Sequence, residues 1–149
     1  MPTAVEYVMT IDGITTDPIS TPFESYSFGA ITNIGPQSSG ASVAKVTFRP
    51  FLITRKVDKA SPNLLKACVT GQHIKKVTLE VRPTVQKVTV KAGFLIIVLQ
   101  DVLISNISEA GNVHGGLVPL EEVGFNFGSF QMTVDGVTFE HNLELEKII

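Results

Sequence analysis

Three histidines, one cysteine and an adjacent pair of glutamates are the side chains here with the most chemical reach, and their spacing decides what they could do. His73, His114 and His141 fall in separate segments, with no Cys or carboxylate at metal-ligand spacing, so no metal centre is expected. Cys68 is the only cysteine and cannot form an internal disulfide. It sits on what reads as the apolar side of a short helix, which suits a small core residue rather than a nucleophile. Glu121 and Glu122 are neighbours on a strand, so they point to opposite faces and cannot share a substrate; they read as a solvated strand start. The glycine-rich "GNVHGGL", Gly111 to Leu117, lacks the Lys-Ser/Thr ending and the following helix of a phosphate cradle. It reads as a surface loop. With no G-x-S-x-G element either, no catalytic, cofactor-binding or metal-ligating residue is expected.

Charge is the next signal. From Lys45 to Lys91 there are eleven Lys/Arg against two acids, a balance of +9, while the rest of the chain has twelve acids and Lys147 alone, a balance of −11. Either interleaved strands mix these charges in space, or the protein has one basic and one acidic face, which would suit head-to-tail association. The basic run from Arg55 to Lys76 also raises a single-strand nucleic-acid-binding barrel. Stacking platforms are scarce there, with only Phe48, Phe51 and, just beyond, Phe94, and the pI is near 5.9. Nucleic acid is therefore not the expected partner.

The elements that must position these residues follow from periodicity. A chain of 149 residues, 44% hydrophobic and 17% charged, reads as one globular domain, 1–149. The N-terminus lacks a basic region followed by an apolar one, and no run of 18 apolar residues occurs, so neither a signal peptide nor membrane insertion is expected. "AVEYVMTI" reads as a first strand closed by an Asp12-Gly13 turn, and "FESYSFGAITNI" as a second. "GPQSSGAS", Gly35 to Ser42, is a flexible loop by composition. "AKVTFRPFLITRKV" follows as a strand bent at Pro50.

Residues 62–70 then read as the one helix: Ser61 as N-cap, Pro62 at the first position, and Gly71 as terminator. Two to three turns are too few to stand alone in water, so the side carrying Leu64, Leu65 and Cys68 must dock on the β body. Full burial of both leucines would contribute about 4 to 6 kcal/mol, at about 2 to 3 per side chain. Beyond it, "KKVTLEVRP" alternates as half-buried sheet. "FLIIVLQDVLISNIS" is apolar at every position from Phe94 to Leu99, so both its faces should be covered, by the helix or by a neighbouring subunit. In "EEVGFNFGSFQMTV" the aromatic parity changes, which suggests a bulge near Gly128-Ser129. "GVTFEHNLEL" is the last strand after an Asp135-Gly136 turn. Seven or eight strands and one helix make an all-β, sandwich-like or barrel-like domain.

In this order the segments resemble the Hcp family, the haemolysin co-regulated tube proteins of bacterial type VI secretion systems. The resemblance is carried by "VTFRPFLITRKVDKASPNLLKACVTGQHIKKVTLEV", within which Arg55, Asp58, Lys59, Ser61, Pro62 and Asn63 are the signature, and by "EYVMTIDGI", "SYSFGA", "FLIIVLQDVLISNIS" and "EEVGFNFGSFQMTV". Tyr26 stands where the family usually has Trp, and Glu140-His141 where Gly-Trp is common. The resemblance implies a mainly β fold, an Hcp-like β-barrel of two packed sheets flanked by one short α-helix, with no cofactor and no enzymatic role. It implies a homo-oligomer, six copies in a ring and rings stacked into a tube, with sheath, spike and effector proteins as partners. Such proteins start in the bacterial cytoplasm and are secreted through the type VI system without a signal peptide. The segment Gly35, Pro36, Gln37, Ser38, Ser39, Gly40 corresponds to the family's extended loop and is expected to contact the next ring. A chain ending at Ile149 would be a plain tube subunit. A phage-type tail-tube protein of a contractile injection particle is the alternative that shares this architecture.

Overall fold

A computed structural model describes residues 5–13, 21–33, 45–83, 94–111, 113 and 118–143. Ten strands and one helix are placed among them: β1 Val5–Ile11, β2 Thr21–Phe23, β3 Ser25–Ser27, β4 Ala30–Asn33, β5 Lys45–Phe48, β6 Phe51–Lys56, α1 Ser61–Thr70, β7 Ile74–Pro83, β8 Leu95–Ala110, β9 Leu120–Val134 and β10 Val137–Asn142. The mainly β expectation with one short helix holds. The strands form one eight-stranded antiparallel sheet in the order β2-β1-β7-β8-β9-β6-β3, with β10 also paired to β9, beside a separate β4-β5 ribbon.

The sheet curls into a half-barrel. Its two terminal strands, β2 and β3, are consecutive in the chain and separated only by Glu24, whose amide donates to the Thr54 carbonyl at 2.7 Å. One short segment thus leaves β1 at one edge and joins β6 at the other. The hydrogen-bonded ladder itself does not run round a closed barrel.

Alternation fills the concave side. Met9, Leu79, Ile97 and Met132 lie in one cross-strand row through β1, β7, β8 and β9, and the first three are buried. An aromatic chain continues this core: Tyr26 stacks on Phe51 at 5.7 Å between ring centres, Phe28 meets Phe130 at 5.2 Å, and Phe48 meets Phe130 at 5.4 Å. Through Phe48 the ribbon is fastened to the main sheet, which a two-stranded ribbon needs because it is marginal alone.

The long β8-β9 pair explains the change of aromatic parity. From Leu95 opposite Val134 to Ile104 opposite Phe125 the register is constant, yet Leu99 and Val102, three apart, are both buried. Both strands switch face at Asp101, which adopts a left-handed φ of 54°. The irregularity expected near Gly128-Ser129 is therefore a matched change of phase in two strands. The register shift proper lies farther along, between Ile104 and Asn106. There Gly124 lies close to Leu52 and Asn106; a Cβ at Gly124 would sit 3.0 Å from a Leu52 methyl and 3.4 Å from Asn106.

Candidate functional site

The chain's most concentrated chemistry is buried and lies where α1 meets the sheet. Strand β6 alternates Phe51, Ile53, Arg55 toward the interior, and β9 presents Glu121, Val123 and Phe125 to the same side. Arg55 is 0% exposed and Glu121 1%. They are direct cross-strand partners, and the Arg55 Nη1 donates to Glu121 Oε1 in a buried ion pair. Arg55 Nη2 also lies 2.5 Å from the half-exposed Asp58 carboxylate.

Ser61, at the start of α1, joins this cluster rather than the helix end. Its hydroxyl donates to Glu121 Oε1 at 3.0 Å and accepts from the Asp58 amide at 3.0 Å and from Arg55 Nη1 at 3.3 Å. The N-cap is Ala60, with no side-chain cap, so the reading of Ser61 as N-cap is corrected. The hydroxyl cannot serve the first-turn amides because it is committed inward. Asp58 instead accepts the Ala60 amide at 2.9 Å, fixing the entry loop. At the other end Gly71 takes the left-handed conformation expected of it, with Gln72 N–H donating to Ala67 O at 3.0 Å.

The docking face is corrected as well. Leu64 and Ala67 are buried, and Cys68 is half-buried against the core, but Leu65 is 45% exposed. A step of about 100° per residue separates Leu65 from the stripe through Ser61, Leu64 and Ala67, so only one leucine contributes the full burial term. Pro62 sits in the first helical turn as expected; Lys59, Pro62 and Asn63 point outward and are not in the cluster. The loop residues Gly35, Pro36, Gln37, Ser38, Ser39 and Gly40 lie outside the described residues.

Glu121 is not a solvated strand start. Burial pushes its pKa above the ordinary value near 4.5, against the lowering pull of Arg55 and Ser61, and Glu109, opposite it on β8, adds to the rise. Glu122 does face solvent, so the two acids diverge as strand geometry requires. The signal that was available is alternation: Arg55 and Glu121 each occupy the inward parity of an apolar strand.

Among the described residues, basic and acidic side chains of the two halves meet in space. Basic β7 runs between β1 and β8, where Asp12 and Asp101 flank Lys75 and Lys76 around one shallow surface groove. Lys56 is 3.8 Å from Glu24, and His73 is 3.3 Å from Asp101. Arg55 is buried, and Lys56, Lys75 and Lys76 lie beside acids, which weakens the support for a nucleic-acid track. Among the described residues no group of three or more His, Cys, Asp and Glu could hold a metal ion, and no helix is long and apolar enough to cross a membrane.

The apolar strand at Phe94 to Leu99 is covered on its inner side, where Ile97 and Leu99 are buried, while Ile96 and Val98 on the outer side are half-buried and Phe94 is exposed. A second apolar feature went unread in the sequence. At the turn joining β9 to β10, Val134 and Val137 face each other across the ladder. Val137 is 76% exposed and Phe139 61%.

The described chain is a curled antiparallel sheet with one docked helix, a buried polar cluster where they meet and an exposed apolar end at the β9-β10 turn. Family-level comparison goes further: residues 19–134 match the type VI secretion system effector family Hcp, and the chain belongs to that family. It is 36% identical over 89 residues to Protein hcp1 of Pseudomonas aeruginosa, a match covering 59% of this chain and 52% of that protein. The chain thus aligns with about half the length of this relative. The fold resembles Hcp1 from Salmonella typhimurium, with a TM-score of 0.74, 22% identity and coverage of 96% of this chain and 97% of that one. It also resembles a type VI secretion system effector from Yersinia pestis, with a TM-score of 0.67, 23% identity and coverage of 91% and 98%.

Proposed function

We propose that this protein is a structural subunit of a type VI secretion inner tube, in which copies join as hexameric rings, rings stack, and the lumen carries effectors. Family membership supports this reading, and the single structural observation that carries it is the uncovered apolar end formed by Val134, Val137 and Phe139 where β9 turns into β10. Large apolar side chains left in water at one place favour a protein neighbour, and the neighbour that fits is a second copy of this chain. In the ring the half-barrel closes as a barrel of two packed layers, with residues 21–27 completing its wall. Sheath, spike and effector proteins are the heterologous partners, and the protein passes from the bacterial cytoplasm to the outside through the tube. The role is structural, with no cofactor.

The β4-β5 ribbon frames the segment from Gly35 to Gly40, which suits a loop that reaches the adjacent ring. Deleting Pro36 to Ser39 is expected to leave single rings intact in negative-stain images and to weaken their stacking. Loss of the rings themselves would contradict the loop's assignment, and a wild-type protein that never forms rings would contradict the function.

A further inference from the structure

The pairing of β6 with β9 poses a problem that the apolar pattern cannot solve. In the native register the inward rows are Phe51 with Phe125, Ile53 with Val123 and Arg55 with Glu121. A slip of one residue would turn the apolar side chains outward and is excluded by burial. A slip of two residues keeps every side chain on its own face. Moved one way, Phe51 meets Phe127, Ile53 meets Phe125 and Arg55 meets Val123; moved the other, Phe51 meets Val123 and Ile53 meets Glu121. Both slips still set most apolar residues against apolar residues. On the inward face, what separates them from the native pairing is the one polar row, because each slip strands a buried charge against an aliphatic side chain.

We infer that Arg55, Glu121 and Ser61 form a register key, whose contribution is to select one pairing of β6 with β9 rather than to stabilise the fold. Their geometry agrees with that division. Arg55 Nε and Glu121 Oε2 find no hydrogen-bond partner, and a buried pair left partly uncompensated recovers little net free energy once desolvation is counted. Ser61 extends the key to the helix, since its hydroxyl reaches Glu121 only while β9 is in register with β6. The row therefore fixes where α1 docks relative to the whole β8-β9 pair, and a slipped sheet would displace the surfaces that copies must match.

Disulfide trapping tests this in the full chain with Cys68→Ala as background. A cysteine at Glu122 is combined in turn with one at Thr54, its native partner, or at Lys56 or Leu52, the partners in the two slipped registers. Directly opposed Cα atoms lie about 4.5 to 5.5 Å apart and diagonal ones about 7 to 8 Å, so only the populated register cross-links efficiently. With Arg55 and Glu121 present, the Thr54 pair alone is expected to close. In the Arg55→Met/Glu121→Leu background the Lys56 or Leu52 pair should close as well, at least tenfold above its level in the parent. Cross-linking confined to the Thr54 pair in that background would overturn the inference. So would loss of the β-sheet circular dichroism signal, because the key is held not to be needed for stability.

Discussion

The two ends of the long β8-β9 pair are finished differently. At one, α1 lies over the sheet, Leu64 and Ala67 fill the space beneath it, and a buried guanidinium answers a buried carboxylate. At the other, the concave face runs out into β10 with Val137 and Phe139 in solvent, although Phe139 still touches Phe130 at 5.9 Å between ring centres. The sealed end pairs its buried charges within the chain, although Arg55 Nε and Glu121 Oε2 stay without partners. The open end leaves apolar surface uncovered, as the proposed tube subunit, completed by its neighbours, would require.

Substitutions at the sealed end should therefore act on folding. Arg55→Met alone leaves Glu121 buried without its partner and is expected to cost about 3 to 5 kcal/mol in urea unfolding; a cost below about 1 kcal/mol would show that the pair is relaxed in solution. Leu64→Ala should cost about 2 to 5 kcal/mol, whereas Leu65→Ala, one position along on the exposed side, should stay within about 0.5 kcal/mol. Equal costs at the two positions would mean that the helix is rotated from the docking described here.

The smallest effect is one of pH. Glu121 has a folded pKa above its ordinary value near 4.5, with burial as the chief cause. The folded protein then holds that proton more tightly than the unfolded chain, so this group's contribution to stability grows as pH falls through the raised value toward 4.5, and is constant below both. Glu121→Gln should remove that component from a plot of unfolding free energy against pH. A slope unchanged by the substitution would place its origin in another carboxylate.

Much of the fold is legible in the sequence because its signals are local. The helix has Pro62 and Gly71 at its ends, and the strands show alternation over seven to ten residues. What is not legible depends on partners far apart in the chain. Glu121 looks like any acid at the head of a strand until Arg55, 66 positions away, is placed beside it, and Ser61 looks like a cap until the carboxylate arrives. Leu65 reads as core because Leu64, Leu65 and Cys68 are spaced like a stripe, whereas the stripe that docks runs through Ser61, Leu64 and Ala67. Among the described residues the charge division of the sequence is mixed by topology, since basic β7 pairs with β1 on one side and β8 on the other.

The claim that the open end is completed by further copies is tested most directly by solution mass, from light scattering after size exclusion. The protein should run near six times its 16.1 kDa chain mass, and Val137→Asp/Phe139→Asp should run as a monomer with an unfolding free energy within about 1 kcal/mol of the parent. A doubly substituted protein that still assembles would contradict the account, as would a parent chain that stays monomeric at every concentration.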